Sequence, residues 1–550
     1  MRQIQKKAWL LALFSGVLQI LIFPLPGLYI LSWIATAPLL LAILQARRPG
    51  TLQLNDSGVR LEPASPGQGF LLGYASGIVW YAGTCYWVYD TMHQYGGLSV
   101  PGALGVLLLF CLYLGLYNGV LGLLIALAAD RRSPFHRRAL ILAPFLWVAL
   151  EFARTRISGF PWDLLGTVQV DNIPLARIAA FVGVYGISFE IMLVNAAIAA
   201  AFIVPRHRRQ ALLIAAIVAI FVLQAGRWLP IPPLATDHSA YLVQENIPIL
   251  DNSAWTKDYF EGTLRDLKEI TVRPPGTLSS ASQAPSLVVW PESPAPFYSS
   301  DPLFRTATSQ TARESRAWLI TGSIGIKNGS ANPVRATEAF NSAVLVSPDG
   351  DWVSRYDKVH LVPFGEYVPF QRLFAFAGGL TKEVGDFSAG TAREPLNAGG
   401  VKPGVFICYE SIFPDEVRQF AHNGAQVFVN ISNDGWYGDS GAYAQHLNQS
   451  RMRAIENNRW LLLDTNTGVT ASVDPNGRIV ARLQRKIRGT LVAPYALTDV
   501  TTVYTRHGDW FAYLCAIISA GILLMRIPFR RNTDTSHGRR TGTGIYSAQG

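Results

Sequence analysis

The stretch KPGVFICYESIFPDE, Lys402–Glu416, places a cysteine directly after an apolar run. The apolar residues before Cys408 predict a buried β-strand that ends at the cysteine. The residues from Pro414 onward predict the start of a helix, and a helix N-terminus nearby favours the thiolate form of a cysteine. Thiolate is the nucleophilic form, so Cys408 is a candidate nucleophile. Position alone leaves a buried core thiol open as the alternative.

The overall composition indicates a membrane protein. Hydrophobic residues make up 50% of the 550-residue chain and charged residues only 15%, which is too apolar for an ordinary soluble protein. The net charge of +10 is placed in short clusters between apolar runs, as membrane topology requires, so no nucleic-acid partner is expected. The remaining cysteines, Cys85, Cys111 and Cys515, form no CxxC pair, and neither a disulfide framework nor a zinc site is indicated.

Eight apolar runs are long enough, or nearly so, to cross a bilayer core of about 30 Å as helices. They lie near residues 9–23, 28–44, 69–89, 103–129, 139–152, 178–204, 211–229 and 510–527. With the N-terminus inside, the predicted cytoplasmic segments carry 18 Lys and Arg residues, whereas the short outer loops carry three. This asymmetry predicts that the long insert from about residue 238 to 500 lies on the outer face of the membrane.

The insert has the pattern of a separate globular domain. It alternates short β-type runs with helical segments near 259–270 and 445–457, and turn sequences at 348–350 and 475–477 indicate two hairpins. About 260 residues can bury a core, and the mixed pattern predicts a layered α/β domain. We therefore expect three parts: 1–236, a membrane domain with seven transmembrane helices; 237–500, the outer domain; and 501–550, an eighth transmembrane helix with a polar tail.

Two further ionisable residues of the insert stand in unusual settings. Glu292 follows the apolar run LVVW and a proline, so its carboxylate is expected at a sheet edge, where a cleft can form. Lys358 lies in YDKVHLVPFGEYVP, whose prolines, glycine and aromatic residues indicate a rigid loop. Taken alone, each is most often a solvent-facing loop residue. The order Glu292, Lys358, Cys408 along the chain is more informative than any one of them.

The segments that contain these residues carry a family resemblance. WPES, YDKVHLVPFGEYVP and FICYES resemble the three motif regions of the nitrilase, or carbon–nitrogen hydrolase, superfamily, and the likeness extends over nearly the whole insert. Together with the predicted spans and SGFPWDLLGTVQ at 158–169, the chain resembles the apolipoprotein N-acyltransferase family of bacterial membrane enzymes. The resemblance implies an α/β nitrilase-like αββα sandwich on an integral membrane α-helical bundle of eight transmembrane helices.

The resemblance also implies roles for individual residues. Cys408 would be the nucleophile, Glu292 the general base and Lys358 the oxyanion stabiliser. Positions that match residues used by the family to complete the site or handle substrate are Glu366, which would hold Lys358, and Tyr409, Glu410 and Trp255. No metal and no cofactor are implied, because covalent catalysis through a thioester needs neither.

The implied substrates are both lipids. The donor would be a phospholipid, phosphatidylethanolamine, and the acceptor the free α-amino group of a diacylglyceryl-cysteine at an apolipoprotein N-terminus. The enzyme would lie in the bacterial inner membrane as a multi-pass protein, in contact with membrane lipid, with its catalytic domain on the periplasmic side. The aromatic stretch at 367–380 is expected either to dip towards lipid as a lid or to be ordinary core.

Two alternatives from other functional classes stay open. A membrane-bound nitrilase-type amidohydrolase would form the same thioester and use water as acceptor. Eight spans favour the transferase over it, because a tether needs only one. A non-catalytic lipid-binding or transport protein would be expected to place ionisable groups inside its spans, where Glu151 and Glu190 are the clearest candidates. Most ionisable groups lie in the insert instead, which favours an enzyme.

Overall fold

The computed structural model describes residues 3–48, 54–55, 58–59, 61–129, 136–249, 254–273, 286–293, 295–328, 337–367 and 387–524. The predicted lid beyond Tyr367 and the polar C-terminal tail lie outside these residues.

The N-terminal part is helical. Its α-helices are α1 Lys6–Ile22, α2 Ala37–Leu44, α3 Pro66–Thr84, α4 Trp87–Gln94, α5 Val100–Ala128, α6 Arg137–Ser158, α7 Ile173–Ala176, α8 Ala179–Ile203 and α9 Arg206–Ala225. Three 3-10 helices, Tyr29–Trp33, Leu165–Gln169 and Gly226–Trp228, and a short ribbon of β1 Leu54–Asn55 and β2 Gly58–Val59 complete it. After the insert come α14 Val503–His507 and α15 Trp510–Leu524. Each apolar run predicted as a span contains an α-helix.

Not all of these helices could cross a bilayer. Within the described ranges, three are long and apolar enough: Val100–Ala128, Ala179–Ile203 and Arg208–Trp228. Two further apolar segments, Tyr29–Leu44 and Trp510–Leu524, are shorter. The 17 residues of α1 rise only about 26 Å, and α6 carries five charged residues. The count of eight spans is therefore not confirmed and stays a prediction.

Two sheets stack in the insert. The strands are β3 His238–Gln244, β4 Leu287–Val289, β5 Trp318–Asn328, β6 Thr337–Val346, β7 Trp352–Asp357, β8 Pro403–Ile407, β9 Val427–Ser432, β10 Leu461–Thr465, β11 Ala471–Val473, β12 Ile479–Arg482 and β13 Gly489–Tyr495. The six-stranded sheet has the order β13-β3-β4-β5-β6-β7, and the five-stranded sheet has the order β12-β11-β10-β9-β8. The two predicted hairpins are confirmed, because β6 pairs antiparallel with β7 and β11 with β12.

Side-chain alternation builds the core on both faces of the six-stranded sheet. Leu242 of β3 belongs to the apolar cluster between the sheets, which also contains Ile407 of β8, whereas its neighbour Val243 belongs to the cluster under the outer helices. Those helices are α10 Lys257–Val272 and α11 Pro302–Ser315; α12 Pro414–His422 and α13 Ala442–Asn457 pack beside the other sheet. The predicted αββα sandwich and the helices expected at 259–270, 445–457 and Pro414 are confirmed.

The sandwich is joined to the helical part by polar contacts. The Glu456 carboxylate of α13 accepts a hydrogen bond of 3.0 Å from the Val184 backbone, where Gly183, at φ +67°, interrupts the helical geometry of α8. The Arg156 guanidinium lies 2.7 Å from Asp509 and 3.2 Å from Asp415. Arg156 is one of the three basic residues that the sequence assigned to the short outer loops, and it lies instead in the last turn of α6. These contacts seat one end of the sandwich directly on the helices.

Candidate active site

Cys408 stands where β8 ends and a 3-10 helix, Cys408–Ile412, begins. All five residues of β8 are buried, and the cysteine that follows them adopts a left-handed backbone with φ +48°. This region is unfavourable for a residue with a Cβ, and such strain recurs at functional sites. The other cysteines are buried in or next to the apolar helices. The predicted strand-to-turn placement of Cys408 is confirmed.

Glu292 and Lys358 reach the same place from the six-stranded sheet. Glu292 lies three residues after β4, and Lys358 follows β7 directly. The Lys358 ammonium lies 3.6 Å from the nearer carboxylate oxygen of Glu292, and both groups act electrostatically on the Cys408 thiol. The sandwich therefore brings together the three residues that sequence order had suggested. Lys358 is completely buried rather than solvent-facing.

A second carboxylate holds the lysine. The Lys358 ammonium donates a hydrogen bond of 2.8 Å to Glu366 Oε1, and the Val362 backbone donates one of 2.7 Å to Glu366 Oε2. Glu366 itself is buried, so both of its oxygens have partners within the protein. The contact expected between Glu366 and Lys358 is present.

Asn341 links the two carboxylates and was missed from the sequence. Its side-chain amide nitrogen donates to Glu292 Oε1 at 2.7 Å and to Glu366 Oε1 at 2.6 Å, and its backbone carbonyl accepts from the Lys358 backbone N–H at 2.8 Å. Asn341 lies in the buried half of β6, among apolar residues. A lone amide inside an apolar strand was the available signal, because buried polar groups are almost always hydrogen-bonded.

Burial and neighbouring charges act on the pKa values of Lys358 and Cys408. Burial lowers the pKa of Lys358, but the carboxylates of Glu366 and Glu292 outweigh it and hold that pKa above its ordinary value. Burial, together with the negative charge of Glu292, raises the pKa of the Cys408 thiol well above its ordinary value. Burial therefore favours the thiol form of Cys408, in opposition to the preference for thiolate that a nearby helix N-terminus would give.

Glu410 connects the turn that begins at Cys408 with the loop that begins at Lys358. Its Oε2 accepts from the Ile407 backbone at 2.8 Å, while its Oε1 accepts from the Tyr356 hydroxyl at 2.7 Å and from the backbone of Val359 and His360 at 2.8 and 3.1 Å. Burial raises the pKa of Glu410, and these donors act in the opposite direction. Its carboxylate therefore organises two segments that carry reacting groups.

Tyr409 faces the helical part, and Trp255 packs under the outer helices of the sandwich. The Tyr409 hydroxyl donates a hydrogen bond of 3.0 Å to the backbone carbonyl of Gly159, in the loop after α6. In the same loop the Trp162 indole donates 2.7 Å to Gln445 of α13. Trp255, by contrast, packs on Tyr259 and on the cluster under α10 and α11. The structure thus brings six of the seven predicted site residues together, and Trp255 packs on the cluster that contains Trp290, two residues before Glu292.

Among the residues the structure describes, no group of three or more His, Cys, Asp or Glu side chains is arranged to hold a metal ion.

Two parts of this chain match families of known proteins. Residues 245–504 match the carbon-nitrogen hydrolase family, and residues 15–197 match the apolipoprotein N-acyltransferase N-terminal domain. An amidase from Nesterenkonia sp. of known structure covers 51% of this chain and 97% of its own, with a TM-score of 0.35 and 19% identity, too weak a likeness to support more. The sandwich is therefore a nitrilase-type domain by its family match and by its own two sheets.

Full-length relatives define the family. Apolipoprotein N-acyltransferase of Geobacter metallireducens is 34% identical over 539 residues, which are 96% of this chain and 97% of that protein. Apolipoprotein N-acyltransferase of Methylococcus capsulatus is 32% identical over 544 residues, 98% and 99% of the two chains. The chain belongs to the apolipoprotein N-acyltransferase family, and its apolar helices make it a membrane protein.

Proposed function

We propose that this chain is an N-acyltransferase of lipoprotein maturation. It moves an acyl chain from a phospholipid, through a thioester on Cys408, to the α-amino group of a diacylglyceryl-cysteine at an apolipoprotein N-terminus. The observation that carries the proposal is the buried Lys358, which lies 2.8 Å from Glu366 and 3.6 Å from Glu292 beside the Cys408 turn. The family membership of the whole chain supplies the substrate class.

The first half-reaction forms the thioester. Glu292 takes the proton of the Cys408 thiol, a role that the raised pKa of the thiol requires. The sulfur then attacks the ester carbonyl, and negative charge develops on the carbonyl oxygen. The Lys358 ammonium and the Tyr409 backbone N–H stabilise that oxygen. When the intermediate collapses, the C–O bond breaks, and Glu292 returns its proton to the departing lyso-lipid.

The second half-reaction uses the same groups in reverse. The free amine attacks the thioester carbonyl, Glu292 takes a proton from the nitrogen, and Lys358 again stabilises the oxyanion. Collapse forms the amide and expels the sulfur, which regains a proton from Glu292. Glu366, Asn341 and Glu410 do not react in this scheme; they hold Lys358, Glu292 and the Cys408 turn in place.

The proposal includes a membrane arrangement. Residues 1–236 would be the membrane domain with seven transmembrane helices, 237–500 the periplasmic catalytic domain, and 501–550 the eighth transmembrane helix with its tail. The contact of Tyr409 with Gly159 supports this arrangement, because it sets the nucleophile turn against the loop that follows α6. A site in that position is accessible to lipids of the outer leaflet. We assign to Trp255 a role in completing the site or handling substrate.

The test is to incubate purified protein with phospholipid that carries a labelled acyl chain. The expected result is a hydroxylamine-sensitive label on Cys408, which moves to the N-terminus of a diacylated lipopeptide when that peptide is added. Release of labelled fatty acid with no transfer to the peptide would instead identify a hydrolase. Protein that acquires no label at all would contradict the proposal entirely.

A further inference from the structure

His446 of α13 is a completely buried histidine directly behind the nucleophile. Its Nε2 lies 3.1 Å from the Cys408 carbonyl oxygen and 2.7 Å from the Ser411 hydroxyl oxygen. Its Nδ1 lies 3.2 Å from Asp434 Oδ1. No sequence motif assigned a role to His446, and it takes no part in the proposed catalytic steps.

The neighbours of the ring define its protonation. A carbonyl oxygen only accepts hydrogen bonds, so the contact with Cys408 calls for a proton on Nε2, while Nδ1 lies within ion-pair distance of the Asp434 carboxylate. Asp434 is itself oriented by the Ser432 hydroxyl, which donates a hydrogen bond of 2.7 Å to Asp434 Oδ1, the oxygen that faces His446. Burial lowers the pKa of His446, but Asp434 outweighs it and holds that pKa above its ordinary value. His446 is therefore a buried ring whose Nδ1 lies beside a fixed carboxylate and whose Nε2 faces the Cys408 carbonyl.

The hydrogen bond to Cys408 acts on one particular peptide unit. In a planar trans peptide the C=O of one residue and the N–H of the next point in opposite directions. Holding the Cys408 carbonyl towards His446 therefore turns the Tyr409 N–H away from His446. The carbonyl that faces His446 belongs to a residue in the left-handed conformation, at φ +48°. As the second residue of a 3-10 helix, Tyr409 has no partner for that N–H within the helix.

We propose that His446, held by Asp434, is a positioning residue that fixes the Cys408–Tyr409 peptide so that the Tyr409 N–H faces the developing oxyanion. This inference rests on the proposed function, because it concerns the same oxyanion. His446 touches neither substrate nor reacting atoms in this role. It acts through the backbone of the nucleophile turn.

The competing explanation is packing alone. The His446 ring lies nearly parallel to the Trp162 indole, with 4° between the ring planes and 6.3 Å between their centroids, and 6.0 Å from the Tyr437 ring. A residue that only filled this space would be replaced best by another ring. A residue that donates to Cys408 would be replaced best by an amide of matching reach. Glutamine places its amide nitrogen near the position of Nε2, asparagine near that of Nδ1.

The experiment compares His446→Gln, His446→Asn and His446→Phe in the full-length protein in detergent. Single-turnover formation of the Cys408 thioester is measured from labelled phospholipid over a range of lipid concentrations. His446→Gln should stay within about tenfold of the unchanged protein, whereas the Asn and Phe variants should lose about 10²–10³, the usual effect of one oxyanion donor. The lipid concentration at half-maximal rate should stay the same in all three, because the donor acts on the transition state.

Several outcomes separate this inference from the proposed function. If the unchanged protein forms no thioester, the proposed function fails. If it does, and the Phe variant matches or exceeds the Gln variant, His446 only packs and the inference is wrong. Equal losses in Gln and Asn variants with unchanged melting temperatures would also overturn it, and this comparison holds even if the Phe variant does not fold. His422→Phe, at an exposed histidine of α12, is the matched control and should leave the rate unchanged.

Discussion

Lys358 and Glu366 form an ion pair of 2.8 Å in which the ammonium is completely buried and the carboxylate nearly so. A buried charge is tolerated only when it is paired and hydrogen-bonded, so this pair determines that Lys358 stays an ammonium next to Cys408. Every role proposed for the lysine depends on that charge.

Glu366→Gln tests the pair directly. The amide would leave the ammonium without its nearest negative charge and would present an N–H group to a backbone or ammonium donor. Breaking a buried pair on one side typically costs about 3–5 kcal/mol of stability, and we expect a lower melting temperature together with loss of thioester formation. Glu394→Gln, at an exposed position, is the matched control and should keep the wild-type melting temperature and the wild-type rate of thioester formation.

Cys408→Ala should abolish acyl transfer and leave the protein folded and inserted. Alanine removes the sulfur but no large packing group. Cys85→Ala, Cys111→Ala and Cys515→Ala should each keep activity, because those thiols are buried in or beside the apolar helices and none of them follows a strand of the sandwich. N-acylation retained by Cys408→Ala would rule out the thioester.

Lys358→Arg should be nearly as damaging as Lys358→Ala. Arginine keeps the charge, but its planar guanidinium is larger than an ammonium and would pair bidentately with Glu292 or Glu366, tying up the base. We expect single-turnover thioester formation to fall by about 10²–10³ in both variants. A rate for the arginine variant within about tenfold of normal, a loss of about 1.4 kcal/mol, would show that Lys358 is not the oxyanion group.

Glu292→Gln should separate thiol acidity from catalysis. Burial is the largest cause of the raised Cys408 pKa, and the Glu292 charge raises it further. Removing that charge should therefore move the pH midpoint of Cys408 alkylation by iodoacetamide downward, while burial keeps it above the ordinary cysteine value. Thioester formation should nevertheless be lost, because no base remains. A midpoint that moved upward would contradict this electrostatic picture.

The predicted topology is independent of the chemistry. Reporter fusions after residues 135, 207 and 535 should indicate the cytoplasm, and fusions at 95 and 350 the periplasm. The asymmetry of 18 against three basic residues between the two sets of segments is the basis. A cytoplasmic signal at 350 would place the catalytic domain on the wrong side for an outer-leaflet substrate.

The sequence by itself determined the local elements and predicted which residues are the reacting groups. The run before Cys408 is a strand, PDG and PNG are hairpin turns, and each apolar stretch contains a helix, because burial patterns and turn chemistry are properties of neighbouring residues. Motif order likewise named Glu292, Lys358 and Cys408 before any distance was known.

Only the tertiary structure decided how these groups act on one another. Asn341 joins two carboxylates that lie 49 residues before it and 25 residues after it in the chain, and His446 reaches back 38 residues to Cys408. The raised pKa of Cys408 likewise results mainly from burial, which only the packed structure produces. Distances across packed sheets and the loss of water around a buried thiol depend on the whole fold, and no local pattern in the chain encodes them.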